Sequence, residues 1–425
     1  MSTTNVTPLV PKPSAPDIER PCFRVYDDHT TTKTGQKLRA GVYWHGLRHG
    51  KGDSEPAEVD QWICSPLHVV AINSCEGGHF GRLLRFRNTL GRWREWAMPM
   101  AMLKGSGEDL RGELLGMGVE IDPDGFKQLN RYIQSQHPKR QVTAATSTGW
   151  HDAQLFIMPG ENIGQGDAIL QTEAHDLGDF TKAGDLDGWR QHLARYCDGN
   201  PLLILGVCAA LVGPLLYPTR QQSGGVNLWG KSSTGKSSIE QAAASVWGHG
   251  EHFLRTWNAT GNGLEGIATQ RNDALLVLDE LGEFDPAKVG DIVYALANGT
   301  GRARANRAGG ARTANRWRVS VLSSGELTLA AKIAEAGKRI KAGQEVRLLD
   351  VSAARAFGCW DRLHGLPDGA ALSKLIKRAS VTHYGHAGPE FVRQLLAGEG
   401  LEGLPEALEL LRAEYPARNG LEGRA

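Results

Sequence analysis

Val226-Asn-Leu-Trp229, then Gly230-Lys-Ser-Ser-Thr-Gly235-Lys236-Ser237, then an Ala-rich stretch to Trp247 is the part of this 425-residue sequence that decides its fold. An apolar strand, a complete GxxxxGK[ST] match and a helical pattern form the context in which that motif carries meaning. Glycines let such a loop curl. The N–H groups from Gly230 through Ser232, Ser233, Thr234, Gly235, Lys236, Ser237 and Ser238 then turn inward toward a phosphate, and the helix start adds partial positive charge. Lys236 supplies a point charge for the β- and γ-phosphates, and the Ser237 hydroxyl is suited to ligate Mg2+. A Gly/Ser-rich turn that fits the pattern by chance is the competing reading, and the flanking strand and helix weigh against it.

A phosphate loop of this kind needs an acid at a neighbouring strand end. Ala274-Leu-Leu-Val-Leu278 delivers Asp279 and Glu280 there, about 40 residues downstream, at the spacing these folds use. Asp279 would serve the metal, and Glu280 would polarise the attacking water. The next apolar run, Arg318–Leu322, ends in Ser323-Ser324-Gly325-Glu326, so either serine could sense the γ-phosphate. The same letters read equally as a turn in which Ser324 caps a helix over Leu327–Ala336.

Between Gly301 and Arg318 lie six arginines (Arg302, Arg304, Arg307, Arg312, Arg316, Arg318), no acid and a central Gly309-Gly310. This is a hairpin signal that carries charge, and Arg304, Arg307 and Arg312 are its expected contacts to a nucleic-acid backbone; a solvated basic loop is the alternative. Arg347, in Gly343-Gln-Glu-Val-Arg347-Leu-Leu-Asp350, could neutralise a transferring phosphate in trans, or pair simply with Asp350 or Glu345.

Around this centre the sequence alternates strands and helices: helix Ser237–Trp247, strand Ala274–Leu278, helix Pro286–Ala297, strand Arg318–Leu322 and helix Leu329–Ala336. That alternation predicts an α/β fold, a parallel sheet covered by helices on both faces. Phe23–Ile157 instead shows short apolar runs between Gly/Asp/Asn turns, with helices over Met100–Gly116 and Pro123–Gln136, which predicts a smaller α+β domain. The expected division is therefore a disordered leader over 1–21, the α+β domain over 22–160, a linker over 161–185, the P-loop domain over 186–380 and a helical tail over 381–425.

Composition limits the rest. A net charge of +1 gives no general attraction to nucleic acid, so any such claim rests on local clusters. Six scattered cysteines (Cys22, Cys64, Cys75, Cys197, Cys208, Cys359) form no CxxC pair, which argues against a zinc ribbon or a disulfide framework and fits a cytoplasmic setting. Pro201–Tyr217 is uncharged and apolar but shorter than the roughly 20 residues of a membrane span, and it predicts a buried helix.

Arg255-Thr-Trp-Asn-Ala-Thr-Gly-Asn-Gly-Leu-Glu265, the phosphate loop, Leu278-Asp-Glu-Leu-Gly282, Ser323–Glu326 and Gly343–Asp350, with Trp93–Leu103 and Thr148-Gly-Trp150-His151 earlier, resemble the domain-of-unknown-function family number 927. That family occurs in the ATPase parts of plasmid, phage and integrative-element primase-helicases, and resembles superfamily 3 and AAA+ ring helicases. The resemblance implies a hexamer, ATP and Mg2+ between subunits, Lys236, Ser237, Asp279 and Glu280 at the nucleotide, and Ser324 as sensor. It further implies Arg347 as the neighbour's finger and Arg307 or Arg312 on DNA. Superfamily 3 proteins usually carry Asn where this sequence has serines, no primase cluster is recognisable and no winged-helix module is evident after Asp350, so priming and origin recognition are either absent or supplied by a partner. The expected function is a DNA helicase motor on single-stranded or forked DNA; the alternative is an ATP-dependent switch that loads replication partners without unwinding.

Overall fold

The computed structural model describes residues 18–32, 35–48, 56–75, 78–170, 178–301, 304–305, 311–312, 315–398 and 401–418. Contacts divide the chain into two units, 1–144 and 145–425.

In the first unit, β1 (Cys22–Tyr26), β2 (Gly41–Arg48) and β3 (Ala57–Cys64) form an antiparallel sheet in that order. β4 (Leu67–Ser74), β5 (Phe80–Arg87) and β6 (Trp93–Pro99) form an antiparallel meander, with β7 (Gln141–Ala145) parallel to β4. Two helices, α1 (Glu108–Gly116) and α2 (Phe126–Ser135), pack their buried faces of Leu110, Leu114, Leu129, Tyr132 and Ile133 against Ile63, Leu67, Leu84, Phe86 and Met98. The single helix expected over Met100–Gly116 is broken into a 3-10 turn, Met100–Leu103, and α1. Gly105 and Gly107 lie between them at φ +64° and +70°, a left-handed conformation that ends a helix and that glycine adopts without steric cost. Arg20, expected in the leader, belongs to this unit: its guanidinium reaches Asp60 at 2.6 Å and Glu58 at 3.1 Å.

The second unit begins earlier than the expected linker. Gly149–Trp150 pairs with β8 (Leu155–Met158) and β8 with β9 (Glu161–Gly164), and Trp150, Phe156, Met158 and Ile163 enter the core of the large sheet. Trp150 donates from its indole N–H to the Pro214 carbonyl at 2.8 Å, while Thr148 bonds the carbonyls of Gln270 and Asn272. These short strands look like more of the first unit in sequence, but their apolar faces are completed by the second.

The helices α3 (Leu186–His192) and α4 (Pro201–Leu216) precede the large sheet. Its strands are β10 (Gly224–Trp229), β11 (Arg255–Thr256), β12 (Ala274–Asp279), β13 (Val319–Gly325) and β14 (Leu348–Ser352), all parallel in the spatial order β11-β12-β13-β10-β14. Alternation within β12 shows why both faces are covered: Leu275 and Val277 join one core, with α4 and α5 (Lys236–Ala244), whereas Leu276 and Leu278 join the other, with α6 (Gly261–Gln270) and α7 (Val289–Asn298). α4 lies so close that a Cβ at Gly213 would stand 2.6 Å from the Cα of Ala274. Among the described residues no helix is long and apolar enough to cross a membrane. Ala387–Ala397, expected in a tail beyond the domain, packs into the same core through Val392.

Candidate functional site

The loop after β10 leaves the carboxyl end of the sheet, next to the end of β13 and one strand away from that of β12. Its first residue is fixed by a bond from Gly230 N–H to the Gly325 carbonyl at 3.1 Å. Ser233 (φ +58°) and Gly235 (φ +108°) take left-handed backbone conformations, which curl the chain into the start of α5. Lys236 is buried, and its ammonium donates to the carbonyls of Gly230 at 2.8 Å and Lys231 at 2.7 Å, so its charge is held inside the curl. A segment the sequence reading missed lines the loop from outside. Cys359 N–H donates to the Thr234 carbonyl at 2.8 Å, and a Cβ at Gly235 would stand 3.2 Å from the Trp360 indole nitrogen.

β12 and β13 run side by side, with Leu278 opposite Ser323, so Asp279 falls beside Ser324. The buried Ser324 hydroxyl donates to the Asp279 carboxylate at 2.5 Å. Glu280 follows at φ +62°, a strained conformation for a residue with a side chain and one that collects at working sites. Partial burial and then the charge of Asp279 raise its carboxyl above the ordinary glutamate range. Ser323, the other sensor candidate, faces the opposite side of the sheet, as adjacent strand residues must. Its hydroxyl accepts from the Trp257 indole at 2.9 Å and donates to Asn227 Oδ1 at 3.1 Å. Asn227 in turn donates to Asp350 at 2.7 Å, and Asp350 accepts from Leu329 N–H. Ser324 does not cap the following helix; that cap is Thr328, at the start of α8 (Leu329–Ala334).

Glu240 lies one turn into α5, fully buried, and neither of its carboxylate oxygens has a hydrogen-bond partner among the described residues. Burial and then the charge of Asp279 push its carboxyl well above the ordinary range, against the pull of Ser324 and Lys236. No motif marks it, and its helix buries Lys236, Ser238 and Gln241 as well, so no break in an apolar pattern singled it out.

Arg347 stands at the other end of the sheet. Its successor Leu348 pairs with Gly225, whereas the loop begins after Trp229, which pairs with Ser352. Four residues of strand separate the two ends, roughly 13 Å at about 3.3 Å per residue. Its guanidinium lies 4.7 Å from the Tyr294 ring centre and donates to the Gly343 carbonyl, and it forms no ion pair with Asp350 or Glu345. In the arginine-rich segment, Arg304 pairs with Arg312 and Ala305 with Ala311 as an antiparallel hairpin. Arg307 and the Gly309-Gly310 turn lie outside the described residues. Arg318 is no part of that basic surface: it makes a two-bond pair with the buried Asp273, at 2.6 and 2.8 Å. A cavity of about 610 Å3 between the starts of α6 and α7, lined by Asn258, Thr260, Glu283, Asp285 and Lys288 among others, contains none of the loop residues.

A parallel five-stranded sheet, helices on both faces and a curled glycine loop at the strand ends define an α/β protein. The chain belongs to the domain-of-unknown-function family DUF927, which it matches over residues 32–316, more than half its length. Its fold is similar to that of a solved structure described as SCCmec type IV Cch, active helicase, at TM-score 0.66 and 20% identity, covering 96% of this chain and 70% of that one. The apo C-terminal region of NrS-1 aligns at TM-score 0.30 and 12% identity, over 81% of this chain and 76% of that one. NtrX from Brucella abortus aligns at 0.24 and 16%, over 36% and 35%. Those two scores are too low to relate the folds. No curated protein matches the chain.

Proposed function

We propose that this protein is an ATP-hydrolysing motor of the P-loop class that moves along single-stranded or forked DNA during replication of a mobile element, plasmid or phage. The observation that carries the reading is the placement of Lys236, within the curl of the Gly230–Ser237 loop, at the same end of the sheet as Asp279 and Glu280. The fold it shares with a structure described as an active helicase supports the choice of motor.

The residues present fit a hard divalent cation. The donors at hand are oxygens, the Ser237 hydroxyl and the Asp279 carboxylate, and behind them the buried Glu240 carboxyl has no hydrogen-bond partner among the described residues. Ser237 and Asp279 would hold Mg2+, which would neutralise charge on the β- and γ-oxygens. The loop N–H groups from Ser232 to Ser237 and the Lys236 ammonium bind and orient the triphosphate, the ammonium exchanging its two carbonyl partners for phosphate oxygens, while Gly230 and Ser238 N–H stay bonded to the Gly325 and Gly235 carbonyls. Glu280 accepts a proton from the attacking water, a task its raised affinity for protons suits. Ser324, already bonded to Asp279, reports the γ-phosphate through that contact.

Arg347 cannot serve the loop of its own subunit from the far end of the sheet, so a role at the phosphate belongs to a neighbouring copy, in keeping with a ring such as a hexamer. The hairpin that pairs Arg304 with Arg312 is, together with Arg307, the DNA contact of that ring, and a primase or initiation protein is the expected partner in the cytoplasm.

Glu280→Gln should bind ATP as the parent does and hydrolyse it about a hundredfold or more slowly, the share a general base contributes. Nucleotide titration alongside phosphate release decides it. Normal turnover in the variant removes Glu280 from the mechanism, and parent turnover indifferent to single-stranded DNA would mark a nucleotide switch instead of a motor.

A further inference from the structure

Phe80–Lys104 contains Arg82, Arg85, Arg87, Arg92, Arg94 and Lys104 against the single acid Glu95, in a chain whose net charge is only +1. Most of this charge sits on the hairpin of β5 and β6, in the first unit. Pairing places Arg85 opposite both His68 and Glu95, and Arg87 opposite Trp93. The inward face of the hairpin is core, through Leu84, Phe86 and Met98, while Arg85, Leu90, Arg92, Trp93 and Arg94 are exposed.

The tip is held in one shape. Asn88 Oδ1 accepts from the N–H groups of Leu90 at 3.1 Å and Arg92 at 2.9 Å, and Thr89 N–H donates to the Gly118 carbonyl at 2.9 Å. Beside it opens a cavity of about 420 Å3 lined by Asp27, Asp28, His68, Arg85, Arg87, Gly91 and Trp93. The acids there are already engaged, Asp27 with His68 at 2.7 Å and Asp28 with Arg87 at 3.3 Å. Arg85, Arg92 and Arg94 make no ion pair among the described residues, and the Arg85 guanidinium instead lies 4.9 Å from the Trp93 ring centre.

We propose that this hairpin is a second contact for single-stranded nucleic acid, in which Trp93 stacks on an unpaired base and Arg85, Arg92 and Arg94 hold the flanking phosphates. It rests on the motor reading only for the choice of polymer. Unpaired cations call for a polyanion, and an exposed indole beside them calls for one with free aromatic faces, which a single strand offers and a duplex hides. A preformed tip loses little freedom on binding.

The test is fluorescence anisotropy of a labelled oligo-thymidine on the full chain without nucleotide, over a range of salt. Trp93→Ala should weaken binding about tenfold, with Trp93→Phe retaining most of it, as stacking requires. Replacing Arg85, Arg92 and Arg94 by Ala should lower the slope of log affinity against log salt by about 2, at about 0.7 per phosphate contact. Arg92→Glu with Arg94→Glu, on exposed side chains, gives the same answer should loss of the Trp93 ring unsettle the hairpin. Parent affinity and slope in all these variants overturn the proposal, as does an equal loss on a duplex of the same length. Binding that falls with the hairpin while ATP turnover ignores DNA keeps this contact and removes the motor; unchanged binding with DNA-stimulated turnover does the reverse.

Discussion

Asn227 lies in the strand that feeds the phosphate loop, fully buried, where a hydrophobic residue would ordinarily sit. Its amide joins Ser323 on one side to Asp350 on the other, and the row continues to Trp257 and to the first turn of α8. Replacing it by Leu keeps the branching of the side chain but leaves the Ser323 hydroxyl and one Asp350 oxygen short of a buried partner. Such groups cost about 1–3 kcal/mol when stranded, so Asn227→Leu should lower the melting temperature by several degrees. An unchanged thermal transition would mean that the row adds nothing to stability. Residues of this kind were not legible in the sequence. Lys236 and Asp279 were, because a local motif fixes their backbone, whereas Asn227, Ser323 and Glu240 acquire meaning only when the order and register of the strands bring them together.

At the scale of elements, the strands and helices around the loop follow the alternation read from the sequence, and the basic hairpin pairs Arg304 with Arg312 across it as its central glycines suggested. The contact division at 144/145 precedes the boundary expected near residue 160, and the difference has a physical cause. Strands as short as Gly149–Trp150 and Glu161–Gly164 carry too few residues to show which core receives them. The sheet of β1 to β3 offers its own test. His45, buried on β2, and Arg20 both bond the Asp60 carboxylate on β3, each at 2.6 Å. Burial acts to raise the Asp60 carboxyl, but the bonds from His45 and Arg20 outweigh it and hold the group below its ordinary range. A lowered folded value means stability that is present above the unfolded value and lost as pH falls through the folded one. Asp60→Asn should therefore be less stable than the parent at pH 7, with the gap closing below about pH 4. Denaturant titrations at both pH values check this, and a gap that stays the same width would show that the charge on Asp60 does no stabilising.

At the scale of the whole molecule, the order β11-β12-β13-β10-β14 is what sets the strand of Asp279 one strand away from the loop, with the Ser324 strand between them. No periodicity reveals that order, which depends on how crossovers wind, although the rule that ligands sit at the carboxyl ends of parallel strands puts the site where it is found. The same parallel arrangement places Arg347 at the opposite end, so one chain supplies a loop at one end of its sheet and an arginine at the other. On the motor reading proposed above, such a chain completes its site beside a second copy. All of this hangs on whether the curl around Lys236 grips a triphosphate. The direct measurement is ATP binding by calorimetry and phosphate release on Lys236→Ala beside the parent. The account predicts weakened binding and hydrolysis reduced by at least about a hundredfold; a variant that binds and splits ATP as the parent does would contradict it.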